Sequence, residues 1–299
     1  MTIDSSNVKW LAERPSIPAV GPVAVHPNPC LADHRRVVDR LADTFGIKVV
    51  ASVDVPFGYI AGGPNGQVEV FTASGGVRAR NTDQLGRYED ERRPWRDVEK
   101  TDTADGVSYT LGDRTATRLT TIARGLVEEL GLKVDPVSVG VSLGQWAMAD
   151  EEGHELDSGP GRATVQFGYD VEGIPLFGPG AKTNLHFDPD ERGTDGVPAR
   201  FFHVHRGFEN LAEVRLLGLE ESLVPLLTQT WSGIEPDPKR ASLTITAAEY
   251  GLLALPAHLP QRAALPALRL EGSVAGLREG AEVRFGQYLP LADPAAVQA

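Results

Sequence analysis

Arg40-Leu41-Ala42-Asp43-Thr44-Phe45-Gly46-Ile47-Lys48-Val49 is answered, 85 positions later, by Gly125-Leu126-Val127-Glu128-Glu129-Leu130-Gly131-Leu132-Lys133-Val134. Leu, Gly, Lys and Val stand at matching places in the two segments. Upstream of each glycine the apolar residues keep helical spacing. The first run has Val37, Val38, Leu41, Ala42 and Phe45; the second has Leu119, Ile122, Ala123, Leu126, Val127 and Leu130. Each set forms one buried face, which predicts amphipathic helices over 33–45 and 115–130. Gly46 and Gly131 fall where a helix closes on a left-handed residue, a conformation that glycine adopts without a Cβ penalty. A helix closed by glycine and followed by strands, used twice, predicts an α+β chain of two related lobes. Each lobe is expected to pack its helix on a small antiparallel β-sheet.

Working outward, strand patterns follow both helices. The first helix precedes 49–53, 59–61 and 67–72, with Gly62-Gly63-Pro64-Asn65-Gly66 as a turn; the second precedes 137–148, 162–171, 181–187 and 199–206. Thr164-Val165-Gln166-Phe167-Gly168-Tyr169-Asp170 alternates polar and apolar, the mark of a sheet with one buried and one wetter face. Charge is dense over 87–105, around Pro94 and Trp95, so the boundary is placed there: a lobe over 1–105 and a larger lobe over 106–299. Further on, 219–230 reads as a helix that Pro225 should break. Strands are expected over 243–246, 265–270 and 282–289, and a frayed tail from Ala292.

Composition narrows the function classes. The chain has 299 residues, 41% hydrophobic and 23% charged, with 32 Gly and 22 Pro, which suits a strand-rich globular protein with many turns. A net charge of -12 argues against nucleic acid as partner, because phosphate recognition needs a concentrated cationic face. One cysteine, Cys30, excludes an intrachain disulfide framework and a multi-cysteine zinc site. No basic segment followed by an apolar run opens the chain, and no apolar stretch is long enough to span a bilayer. The expectation is a cytoplasmic protein without a membrane span.

The helix over 115–130, the strand 166–171, the hairpin Gly173-Ile174-Pro175-Leu176-Phe177-Gly178-Pro179-Gly180-Ala181 and Leu265-Pro266-Ala267-Leu268-Arg269-Leu270-Glu271-Gly272 resemble the αβ repeat modules of the PepSY and YycH kind. The likeness covers about half of the chain. It implies a helix on a small antiparallel meander, and a regulatory or protein-binding role; it carries over no catalytic residue.

His203-Val204-His205 is the sharpest chemical feature. Residues two apart on a strand share a face, and Glu209 completes a His-x-His-x3-Glu pattern that resembles the first metal motif of cupins. His186, on the preceding strand, stands within reach as a further ligand. The second cupin motif is only approached at Gly251-Leu252-Leu253-Ala254-Leu255-Pro256-Ala257-His258, so the expectation is no bound metal and no cofactor; if a metal is held, the ligands are His203, His205 and Glu209. Cys30, with His26 and His34 as conceivable bases, lacks any sign of an activated thiolate. Gly178-Pro179-Gly180-Ala181-Lys182-Thr183 and Gly58-Tyr59-Ile60-Ala61-Gly62-Gly63 miss the phosphate-cradling spacings. The acidic runs at 150–152 and 188–191 read as solvated loops.

What remains is a set of polar and aromatic residues on strands. Trp146, Tyr169, His186, His203 and His205 are the expected lining of a pocket for an apolar small molecule, with Gln145, Gln166, Asn184 and Tyr288 nearby. The concrete form is a cofactor-free cyclase of the pericyclase kind. It would fold a polyene or polyketide into a reactive conformer, chemistry that needs orientation more than a motif. Two alternatives stand beside it: a PepSY/YycH-like module with a protein partner, and a cupin-like metalloenzyme.

Overall fold

The computed structural model describes residues 7–25, 34–91, 93–103, 106–132, 136–152, 154–193, 195–231, 233–234, 240–277 and 282–293. Strands β1 (Val8–Trp10) and β2 (Val20–Val25) come first. Helix α1 (His34–Thr44) leads into a meander of β3 (Ala51–Val55), β4 (Gly58–Gly63), β5 (Gly66–Phe71) and β6 (Gly76–Asn81). Helix α2 (Thr82–Glu91) and the hairpin β7 (Val98–Thr103) and β8 (Gly106–Leu111) connect to helix α3 (Asp113–Glu129). A second meander follows: β9 (Ser138–Ala149), β10 (Glu155–Val171), the short β11 (Ile174–Phe177), β12 (Lys182–Pro189) and β13 (Gly196–Val204). The last third holds β14 (Glu209–Arg215), α4 (Leu219–Thr228), β15 (Ser242–Leu253), β16 (Ala263–Ala275) and β17 (Val283–Pro290).

The chain is α+β and strand-rich, built on a large mixed sheet of 15 strands. Its first region runs β3-β4-β5-β6-β13-β12-β10-β9, antiparallel throughout. Both helix-plus-meander units are therefore present, but they share one sheet. The expected small sheet under each helix is corrected at β6, which pairs with β13 through Arg80↔Arg200, Ala79↔Phe201, Arg78↔Phe202 and Val77↔His203. The physical reason is continuity of burial: Val77, Ala79 and Phe201 are fully buried, and joining the meanders there leaves neither edge open. Residue 105 lies outside the described residues, between β7 and β8.

Side chains alternate across this region. Val165, Phe167, Leu185, Phe201 and Ala79 point back into a core with Leu41 of α1 and Leu119, Ala123 and Leu126 of α3. The Arg40 guanidinium donates to the Glu129 carbonyl and ties the two helices together. Gly196 is required by close approach, since a Cβ there would stand 2.5 Å from Leu119 Cδ2. Gly46 and Gly131 close their helices at φ 60° and 68°, the left-handed caps expected of them. Trp95, in the charge-dense segment, is buried and donates from Nε1 to the Gly161 carbonyl at 3.1 Å.

The second region of the sheet is built around β15 and β16. Strand β15 pairs β16, and β16 pairs β17 and β2; β2 in turn pairs β14, and β1 lies parallel to the start of β15. Its core joins α4 to Leu243, Ile245, Leu268, Leu270, Phe285 and Trp231. Pro225 sits inside α4 without breaking it, correcting the expected break, and the helix ends three residues later. Ala292, expected to fray, bridges Leu216 and is buried.

The two regions meet at a narrow seam. Strand β11 runs parallel to the end of β15 through Leu176↔Leu252 and Phe177↔Leu253. Arg206 clamps the same junction by donating to the carbonyls of Leu255 at 2.7 Å, Pro256 at 3.0 Å and Leu259 at 2.9 Å. At Gly180 a Cβ would lie 1.8 Å from the Leu255 carbonyl oxygen, so only glycine lets the chain pass.

Candidate functional site

Of the five residues expected to line one pocket, the structure gathers three. Tyr169 lies near the end of β10 and Thr183 near the start of β12, and both are buried on the back of the sheet beside His203 of β13. The Tyr169 hydroxyl and Thr183 Oγ1 are 2.5 Å apart, and Thr183 Oγ1 lies 2.7 Å from His203 Nδ1. His205 sets its ring 4.5 Å from that of Tyr169 and accepts from the Gly207 N–H at Nδ1, at 3.3 Å. Burial pushes the Tyr169 hydroxyl up to about 12, against the pull of the Thr183 hydrogen bond. Burial also drives His203 down to about 3, with His205 adding to the shift. The neutral imidazole of His203, the Thr183 hydroxyl and the Tyr169 hydroxyl thus form one buried hydrogen-bonded chain.

His186 and Trp146 stand elsewhere. His186 pairs with Thr164 and Arg200 on the front of the sheet, the face opposite His203; its Nδ1 lies 3.0 Å from Thr164 Oγ1. Burial, then Arg200, Arg162 and Lys182, lower it to about 4. Trp146 packs over Gly159 at the far end of β10, ten residues along the strand from Tyr169, where a Cβ would meet its ring at 2.9 Å. One pocket shared by all five is thus excluded by strand alternation and by distance along β10.

The cupin-like set does not assemble. Glu209 is exposed at the start of β14, paired to Val25, while His203 is buried and spends Nδ1 on Thr183. Among the described residues, the group whose ligand atoms come within sharing distance of one ion is Asp150, Glu152 and His154, an exposed turn. Cys30 lies outside the described residues.

Two features of the front face were not anticipated. The first is a cleft of about 880 Å³ where the two sheet regions meet. Gln166 and Lys182 come to it from the first region. Glu249, Arg269 and Tyr288, which share one cross-strand row on the face away from α4, come from the second. Phe177 stacks on Tyr288 at 5.3 Å and with Pro175 gives the cleft an apolar floor; Val139, Leu176 and Tyr169 border it, with side chains packed behind the sheet. Gly140 borders the cleft with open space where its Cβ would be. The second feature is a row of polar side chains crossing the sheet: Gln67, Arg80, Arg200, His186 and Thr164, in register on five neighbouring strands. In the next row Arg78 is engaged by Glu69 at 2.5 Å, and Arg162 by Asp188 at 2.7 Å on the helix α2 side. The alternation Val77-Arg78-Ala79-Arg80 was the sequence signal for this face, and Lys182-Thr183-Asn184 marks its continuation.

No protein-family model matches this chain, and no curated protein matches it. Among solved structures it is similar to the crystal structure of an uncharacterized protein from Eubacterium rectale ATCC 33656, at 10% identity and a TM-score of 0.46, over 96% of this chain and 88% of that chain. Among the described residues no helix is long and apolar enough to cross a membrane.

Proposed function

We propose that the protein binds a small amphipathic molecule in the cleft between the two sheet regions. The cleft's shape carries the reading: about 880 Å³, within the range of small-molecule sites, with an apolar floor and a few polar groups placed on opposite walls. Phe177 and Tyr288 offer ring faces, Lys182 offers a cationic end and Gln166 an amide, while Arg269 is already paired with Glu249 and Glu271. This departs from a wholly apolar ligand. A cyclase that folds a polyene needs apolar walls around most of its substrate, and this lining carries Gln166, Asp170, Lys182, Glu249 and Arg269, so binding is the reading that the geometry favours over turnover. In the same reading the two helix-plus-meander units are copies of one ancestral module, joined through β6 and β13, and the cleft lies where the second copy meets the later sheet.

The test uses 8-anilinonaphthalene-1-sulfonate, an aromatic anion of suitable size. Saturable fluorescence enhancement is expected for the native chain. It should be abolished by Gly140→Trp, which fills the cleft from a position with room for a side chain, and weakened by Tyr288→Ala. Dye binding unchanged in Gly140→Trp would sink the cleft as the site.

A further inference from the structure

Arg80 and Arg200 stand directly opposite each other on β6 and β13. Cross-strand partners have Cβ atoms about 4.5–5.5 Å apart, and like charges in that position are destabilising. Neither guanidinium has a carboxylate partner among the described residues. The carboxylate on this part of the face, Glu69, is held by Arg78 and by the Gln67 amide. Arg200 Nε is buried with no acceptor, and the side-chain oxygen of Asn184, in the adjacent row, is buried with no donor. His186 next to Arg200 is held neutral, so it adds no further repulsion and leaves a ring nitrogen on this face. A like-charge pair of this kind, in a chain with a net charge of -12 and no shortage of acidic residues, carries a standing electrostatic cost that a bound anion removes.

We propose that Arg80 and Arg200 form an oxyanion-binding site on the front of the sheet, for the phosphate or carboxylate group of a small ligand. Two guanidinium forks side by side match the paired oxygens of such a group, and Arg200 Nε supplies a donor already removed from water. Gln67 flanks the pair on one side, and His186 on the other. Burial, then Arg78 and Arg80, lower the proton affinity of Arg200, and the Glu69 carboxylate offsets them in part. The site lies two strands away from Gln166 and does not rest on the cleft reading.

The experiment measures thermal stability and calorimetric binding with inorganic phosphate and with citrate, against sodium chloride at equal ionic strength. Native protein is expected to bind one of the two anions saturably and to gain stability beyond the chloride control. Which anion binds tells phosphate from carboxylate recognition. Arg80→Gln and Arg200→Gln should each weaken that binding by about tenfold or more. Each should also raise the melting temperature in anion-free buffer, because the repulsion is gone. Arg80→Gln, at an exposed side chain, serves if the Arg200 variant fails to fold. Gly140→Trp should leave anion binding intact. Equal stabilisation of native and variant proteins by phosphate or citrate, or anion binding lost in Gly140→Trp, overturns the proposal. So does binding only to a polyanion such as heparin.

Discussion

Thr183 is fully buried and serves two partners with one hydroxyl, hydrogen-bonding both Tyr169 and His203. Thr183→Val keeps the shape and strands both partners, so it should cost about 1–3 kcal/mol, measured by urea unfolding. A far smaller loss would mean that water replaces the hydroxyl. His203 also predicts a pH effect. Its folded proton affinity, at about 3, lies below the ordinary histidine value of 6.5, so the unfolded chain takes up the proton first. Its stabilising contribution is full above about pH 6.5 and falls as the pH drops towards 3, by up to about 1.4 kcal/mol per pH unit. Tyr169, Thr183 and His205 face it, and none of them is a carboxylate. His203→Gln should flatten that acid limb; an unchanged limb would place the acid sensitivity elsewhere. At this scale the sequence was half legible. Spacing showed that His203 and His205 share a face. It could not show that His186 looks the other way, because that depends on register, and a shift beside His186 and Phe187 alters the register within the strand pair.

At the seam one side chain reinforces the pairing of β11 with β15. Arg206 reaches three carbonyls of the 255–259 segment, and burial lowers its proton affinity to about 10. Arg206→Met should cost about 2 kcal/mol or more and should raise amide exchange over 255–261 ahead of either core. Arg206→Lys is expected to rescue little, since a single ammonium lacks the planar fork. Exchange that rises uniformly over the whole chain would show that Arg206 supports the fold at large and not the junction. The helices were readable in advance because an apolar stripe of period 3.6 and a closing glycine are local signals. Strand alternation at 164–170 was readable for the same reason. The pairing of β6 with β13 was not, because a strand edge is two rows of backbone groups and leaves no mark on residue type. Of the stretch 87–105, where composition suggested a boundary, the described residues hold the end of α2, a buried tryptophan and the strand β7.

Across the whole molecule the two cores draw on different stretches of chain. The first takes most of its residues from α1 to β13; the second combines β1, β2 and the last third. Trp95 is buried in the first and Trp231 in the second, which gives each core its own reporter. Removing residues 1–25 should expose Trp231 to acrylamide quenching while Trp95 stays protected, because among the described residues β1 and β2 pair with β14, β15 and β16. Loss of protection at both would mean that the cores fold as one cooperative unit. The net charge of -12 was readable as an argument against nucleic acid, but a total says nothing about where cations collect, and the arginine row sits within an acidic whole. The borrowing of β1 and β2 by the last third also sets a timetable for synthesis. A ribosome releases Val25 long before Glu209 and Leu243, and at about 5–20 residues per second the interval to β14 is roughly 10–40 s. During that time the first meander can gather on α1, while β1 and β2 wait without partners; strands made before that meander are among the last to pair.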